Sequence, residues 1–328
     1  MNYLLWLQEL RGTWFDSFLM GVTDFVVSPG VYVFISVLYW CFHKKAATFL
    51  AMNISIGSMI NQLLKNTFCI YRPWILEPKI KPYPAAMESA TGYSFPSGHT
   101  QLAATEFLSI ARWQQKRKWL VAACVFMTLL VMFTRNYLGV HTLWDVLASA
   151  LLACVVILLN EKLLLWVEKG KNRDLWVAMA GIGVALLALW YTNIKPYPMD
   201  YDGAGKLLVD PAEMITDCYL ASGCLGGFFI GWFLERRYLN FSTDVSGKVR
   251  LWRGIGGGAL LLFLVLVVKD ILTEIHLYWG NFIFFGFTFV FILFIYPWIF
   301  TKIEKRKKRH ELHHFVQTVQ KRDSKVEF

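Results

Sequence analysis

Along this chain, long runs of apolar residues alternate with short polar connectors. Runs near or above the roughly 18–20 residues needed to cross about 30 Å of hydrocarbon predict nine membrane-spanning helices, at about 25–42, 46–65, 99–113, 118–134, 142–160, 175–192, 214–234, 252–270 and 278–300. The third and fourth are short. Ahead of them, Met1 to Leu10 is amphipathic, with Leu4, Leu5, Trp6 and Leu7 beside Gln8, Glu9 and Arg11, a pattern suited to lying along the membrane surface. The fold class is therefore all-α, a polytopic helical membrane protein. The expected organisation is an interfacial segment over 1–24, a core over 25–192, an outer loop with three additional spans over 193–300, and a basic tail over 301–328.

Composition and charge sharpen this. The 328 residues are 56% hydrophobic and 17% charged, less charge than a soluble domain carries. The net charge of +10 would suggest nucleic acid in a soluble protein. Here 24 of the 33 Lys and Arg residues fall at 43–45, 112–118, 162–173, 236–253 and from Lys302 onward, between and after the apolar runs. That distribution excludes a nucleic-acid partner and points to membrane lipids, with the basic set cytoplasmic by the positive-inside rule. The C-terminus is then cytoplasmic, and the loops 66–98 and 135–141 both face outward, in a cell-membrane protein. Loop 193–213, also outside, is rich in Pro, Gly and Asp and reads as an ordered lid or spacer. The six cysteines sit mostly inside apolar runs without paired metal spacing, as small buried residues do.

Three polar stretches interrupt the apolar pattern on that outer side. Lys65 to Pro73 includes Lys65 and Arg72; Tyr93 to Thr100 reads Tyr-Ser-Phe-Pro-Ser-Gly-His-Thr; Thr134 to Asp145 includes Arg135, His141 and Asp145. His141 and Asp145 are four apart, hence on one face of a helix. A carboxylate there can hold one imidazole nitrogen and leave the other free as a nucleophile. Ser97 and Gly98 precede His99 at a helix N-terminus, a natural anion seat, and Lys65, Arg72 and Arg135 add fixed positive charge. Pro73 keeps Arg72 out of the preceding helix. Together these residues suit phosphoryl transfer: Arg72 and Arg135 clamp phosphate oxygens, Lys65 and the Ser97/Gly98 backbone neutralise charge, His141 attacks phosphorus, and His99 donates to the leaving alkoxide and then activates water. Surrounded by three cations, His99 holds its proton best once a dianion is bound. The rival reading is a metal site of His99, His141 and Asp145. The three cations favour an oxyanion over a divalent ion, so no metal and no cofactor is expected.

Lys65-x6-Arg72-Pro73, Pro96-Ser97-Gly98-His99 and Arg135-x5-His141-x3-Asp145 resemble the three signatures of the type 2 phosphatidic acid phosphatase superfamily. That family includes membrane lipid phosphatases, sphingosine-phosphate phosphatases, glucose-6-phosphatase and vanadium haloperoxidases. The resemblance covers residues 65 to 145 and implies a six-helix phosphatase core, a His141 nucleophile oriented by Asp145, a His99 acid, and metal-independent catalysis. The third signature usually opens Ser-Arg, whereas Thr134 precedes Arg135 here; a hydroxyl is retained.

The leading expectation is an integral-membrane phosphatase that dephosphorylates a lipid phosphate or lipid pyrophosphate on the outer side through a phosphohistidine. A glucose-6-phosphatase-like hydrolase of a soluble sugar phosphate, or another phosphomonoester, is the alternative; so is a non-catalytic lipid-binding or transport protein on the same fold. Glu106 lies seven residues after His99 and faces either the site or the bundle, and Asn53, Asn61 and Gln62 are expected to bond between helices.

Overall fold

The computed structural model describes residues 1–12 and 14–323. The last five residues of the basic tail lie outside it, so part of the expected segment 301–328 is not described. Among the described residues the chain is helical, with one isolated bridge between Tyr201 and Leu207 and no strand.

The helices are α1 (Asn2–Glu9), α2 (Trp14–Val27), α3 (Pro29–Val37, continued by a wide π turn over Leu38–Phe42), α4 (Lys44–Phe68), α5 (Gly98–Trp113), α6 (Lys118–Tyr137), α7 (Leu143–Glu168), α8 (Arg173–Ile194), α9 (Pro211–Leu234), α10 (Gly247–Ile275) and α11. The last runs from Leu277–Val290 through a π turn at Phe291–Ile295 into Tyr296–Asp323. Seven of them, α4 and α6 to α11, are long and apolar enough to cross a membrane, and α2 with α3 passes the same test as a pair bent by 45°, the geometry of a broken span or a re-entrant loop. The chain is a multi-pass membrane protein.

The first and third expected spans differ from their apolar runs. The first was read from residue 25, but its helix begins at Trp14. Asp16 interrupts the apolar pattern, yet it is buried and accepts hydrogen bonds from Tyr137 Oη (2.6 Å) and the Gly12 N–H (2.7 Å), so its polarity is absorbed by partners. Pro29 at the first position of α3 cannot continue the α2 hydrogen-bond ladder, and it restarts the helix at an angle. The third expected span is α5, only 16 residues long and carrying Gln101, Thr105, Glu106 and Ser109. It falls short of the length and apolarity of a span, and it packs on α4, α6 and α7 within the bundle.

Polarity and burial run together. The two least apolar spans containing α4 and α9 have 61% and 72% of their central stretch buried, whereas that of α10, among the most apolar, is 17% buried. Helices facing lipid need apolar surfaces; helices facing other helices can carry small and polar ones. Asn53 of α4 donates to Ser109 Oγ of α5 (3.0 Å), and Asn160 of α7 donates to Asn53 Oδ1 (2.8 Å). This ladder ties three helices through their buried interior. Farther along, Arg253 of α10 grips Glu304 of α11 through two bonds of 2.8 Å. Lys44, Lys45, Arg112, Glu161, Glu168 and Arg236, from four of the basic connectors, line one cavity of about 310 Å³. Lys65, Arg72, Arg135 and His141 gather at the opposite end of the same helices.

Helices α9 and α11 approach so closely that a Cβ on Gly223 would collide with the Phe282 carbonyl, and one on Gly227 with that of Gly286. Backbone cannot move aside as a side chain can. Gly227→Val should therefore destabilise the fold by about 3 kcal/mol, read as a lowered thermal unfolding midpoint in detergent. Gly183→Ala on α8, with open space around it, should not lower the midpoint and should raise it slightly, since alanine favours a helix interior over glycine.

Candidate active site

Helix α4 ends one turn after Lys65, where Cys69 takes the left-handed conformation (φ 50°) and turns the chain. Arg72 is extended (φ −65°, ψ 154°), and Pro73 opens a separate turn, so the guanidinium folds back into the bundle, where it is 3% exposed. Backbone carbonyls hold it: Nε donates to Gly92 O (3.1 Å), Nη2 to Thr91 O (2.7 Å) and Nη1 to Val140 O (3.0 Å). Nη1 also lies 2.9 Å from His141 Nε2.

His141 was expected on a helix face shared with Asp145. The helix starts later, at Leu143, with Thr142 as its cap, so His141 stands in the preceding turn. Gly139, at φ +74°, makes that turn. The Arg135 carbonyl accepts from the N–H groups of Val140 and His141, and Asn136 Nδ2 donates to His141 O (3.0 Å). Asp145 forms a capping box with Thr142, its Oδ2 accepting the Thr142 N–H at 2.7 Å. The same oxygen accepts Ser94 Oγ–H at 2.6 Å and lies 3.5 Å from His141 Nδ1. A carboxylate beside Nδ1 and a guanidinium beside Nε2 favour the neutral tautomer with its proton on Nδ1 and its lone pair on Nε2. Burial, and then the charge of Arg72, hold the His141 pKa well below its usual value against the opposing pull of Asp145.

The third stretch arrives from the side. Ser97 caps α5, accepting the Thr100 N–H (3.4 Å), and the first turn of α7 docks on it: Ser149 Oγ donates to Ser97 O (2.9 Å), and Ser97 N–H donates to Asp145 O (3.3 Å). A Cβ on Gly98 would lie 4.0 Å from Lys65 Nζ and 3.9 Å from Asn61 Oδ1, which places Lys65 and Asn61 against the start of α5. Arg135 is fully buried, donates through Nη1 to Thr23 Oγ1 (3.3 Å), and has no partner for Nε and Nη2. His99 Nε2 is likewise unpartnered. His99 has Arg135, His141, Arg72 and Lys65 as electrostatic neighbours, and Arg72 and Arg135 are neighbours of both His141 and Lys65. Among the described residues, Lys65, Arg72 and Arg135 form no ion pair; Asp145 and Asp217 act on Lys65 and Arg72, Glu213 on Arg72 and Asp24 on Arg135, only from longer range. No cluster of three or more His, Cys, Asp or Glu there could hold a metal ion.

Three further residues belong to this arrangement. Ser94 lies inside the second stretch, but only the fold shows it bridging to Asp145. Asn61, expected to bond between helices as Asn53 does, is buried with both amide atoms unpartnered; its spacing of one turn from Lys65 is the signal that places it here. Glu213 accepts the Gly92 N–H (3.0 Å) from 121 residues away, and no local pattern predicts that. Glu106 does not join: it is buried beside Tyr32, with Oε1 unpartnered and no hydrogen bond to His99.

The family described as "PAP2 superfamily" matches residues 46–169, and "PAP2 superfamily phosphatase, transmembrane extension" matches 219–308. Lipid phosphate phosphatase delta of Arabidopsis thaliana is 23% identical over 216 residues, 60% of this chain and 50% of that protein. Phosphatidylglycerophosphatase B of Haemophilus influenzae is 40% identical over 76 residues, 21% of this chain and 32% of that protein. The matched stretches thus span half of one curated relative and about a third of the other. No solved structure matches. The first match contains Lys65, Arg72, His99, Arg135, His141 and Asp145, and the second covers most of α9, α10 and α11, of which α9 packs on α4: this chain belongs to the PAP2 superfamily.

Proposed function

We propose that this protein hydrolyses the phosphate of a membrane lipid through a phosphohistidine at His141, on the extracytoplasmic side of the membrane. The observation that carries this reading is the gathering of three buried cations without ion pairs around His99 and His141, with Arg72 Nη1 2.9 Å from His141 Nε2. Such a seat suits a phosphate dianion, whose charge and oxygen count match the vacant donors of Arg135 and the forked guanidinium of Arg72. The names of both relatives, one a lipid phosphate phosphatase and the other a phosphatidylglycerophosphatase, support a lipid substrate. The outer location rests on the basic connectors, which lie at the opposite end of the helices.

The chemistry balances on this chain's own residues. Phosphate draws the Arg72 N–H away from His141 Nε2, whose lone pair then attacks phosphorus in line with the ester oxygen. The P–O bond breaks, and the leaving alkoxide takes a proton from His99. His99 then removes a proton from water, and the hydroxide attacks the phosphohistidine, releasing inorganic phosphate and restoring His141. Asp145, with Ser94 and Thr142 fixing its carboxylate, holds the imidazole and stabilises positive charge as the N–P bond forms. Lys65, Arg72, Arg135 and the backbone at Ser97 and Gly98 meet the charge on the equatorial oxygens.

His141→Ala should lower kcat about a thousandfold or more in an inorganic-phosphate release assay, while the wild type keeps its rate in a chelator. Loss of wild-type activity in chelator, restored by zinc or magnesium, would sink the metal-free scheme.

Vanadate, a mimic of the pentacoordinate transition state, should inhibit competitively. Arg135→Lys should weaken that inhibition about tenfold or more, since lysine cannot supply a planar two-pronged contact; unchanged affinity would remove Arg135 from the seat.

Purified protein should show kcat/KM rising with chain length across a series from short water-soluble phosphate esters to full lipids, because each CH₂ left in hydrocarbon avoids about 0.8 kcal/mol of exposure. A flat series, with glucose 6-phosphate hydrolysed as fast as any lipid, would replace the lipid by a soluble sugar phosphate.

A further inference from the structure

The segment joining the core to the added helices closes over the outer end of α4. Lys195 Nζ hydrogen-bonds to Asn66 O and lies 2.9 Å from Cys69 Sγ; Tyr197 Oη donates to Asn66 Oδ1 (2.5 Å); Tyr71 Oη donates to Asp200 Oδ2 (2.5 Å). Residues 66–71, immediately before Arg72, are thereby fastened to the connecting loop.

The far side of Arg72 is fastened by α9. Arg72 rests on the carbonyls of Thr91 and Gly92, and the N–H of Gly92 is held in turn by Glu213 Oε2 at 3.0 Å. Gly92 has φ +64°, and a Cβ there would meet Met214 Sδ at 2.5 Å, so the turn is shaped to receive that side chain. Met214 is wholly buried and packs with Tyr93 and Val209. Fixing the Gly92 N–H aims the Thr91 carbonyl of the same planar peptide unit, and with it the start of the turn that carries the Gly92 carbonyl. Three carbonyls must point inward together to hold one guanidinium, so the aim of the Thr91–Gly92 turn decides where Arg72 sits.

We infer that Glu213 and Met214, at the start of α9, are positioning residues for Arg72, and that α9 thereby forms part of the phosphate site rather than only an added anchor. They touch no phosphate themselves; they set the turn whose carbonyls orient the guanidinium. The inference rests on the proposed phosphate chemistry, and it predicts an effect routed entirely through Arg72.

The test measures vanadate affinity and phosphate release for the full-length protein in detergent, with thermal midpoints recorded alongside. Wild-type phosphate release and competitive vanadate inhibition come first; their absence would count against the phosphatase reading and not against the brace. Given them, Glu213→Ala should weaken vanadate binding about tenfold, the worth of one charge-assisted hydrogen bond, and raise KM more than it lowers kcat. Glu213→Gln, which keeps an acceptor oxygen, should stay within about threefold of wild type. In an Arg72→Lys background, Glu213→Ala should cause no further loss. If Glu213→Ala does not fold, Glu213→Met, which keeps the bulk and removes the acceptor, carries the same expectations. Wild-type vanadate affinity in the Ala or Met variant, an equal loss in Gln and Ala, or an undiminished effect in the Arg72→Lys background would each overturn the brace.

Discussion

Everything at the end of the bundle where Lys65, Arg72 and Arg135 gather answers to one constraint, the burial of positive charge without ion pairs. Removing a cation from water costs on the order of several kcal/mol even after relaxation, and Lys65, Arg72 and Arg135 are each 5% exposed or less with no carboxylate in an ion pair. Arg72 meets that cost with three carbonyl oxygens. Arg135 meets it poorly, keeping one bond to Thr23 and two unpartnered nitrogens. Cations held in this state are poised for an anion, since an anion among them would relieve their mutual repulsion.

A rigid surround is needed to keep such groups from relaxing toward water. The ladder from Asn160 through Asn53 to Ser109 locks α4, α5 and α7 below the site. The capping box of α7 couples Asp145 to the same helix that seats the α5 N-terminus. Above, the loop after α8 and the start of α9 hold the chain on both sides of Arg72. The groups that fix this arrangement, among them Asn53, Ser109, Asn160 and Glu213, are thus distinct from the cations they hold in place.

Much of this is legible in the sequence because the chemistry sits in short segments. Lys65 with Arg72, Ser97 with His99, and Arg135 with Asp145 are close enough along the chain for helix periodicity and proline rules to relate them. The helix ahead of residue 25 was hidden because Asp16 finds its hydrogen-bond partner in Tyr137, 121 residues away. The position of His141 before its helix turned on Gly139 and on which residue, Thr142, captured the cap. Glu213 was illegible for a plainer reason: its partner is a backbone N–H, which carries no residue identity. Asn53 and Asn61 are chemically alike, and only packing shows that one is spent on a helix contact and the other is not.

The polarity of α5 also bears on how the protein is made. A segment of 16 residues bearing Gln101 and Glu106 gains too little from hydrocarbon to leave the insertion machinery alone, given the penalty of about 2.5–3.5 kcal/mol for a central carboxylate on insertion scales. It becomes acceptable to lipid only inside the shell that α4, α6 and α7 provide. Two of those partners are synthesised after it, so the nascent helix must be sheltered until α6 and α7 emerge. His99, at the head of this helix, is thus brought into the membrane by assembly and not by the helix's own hydrophobicity.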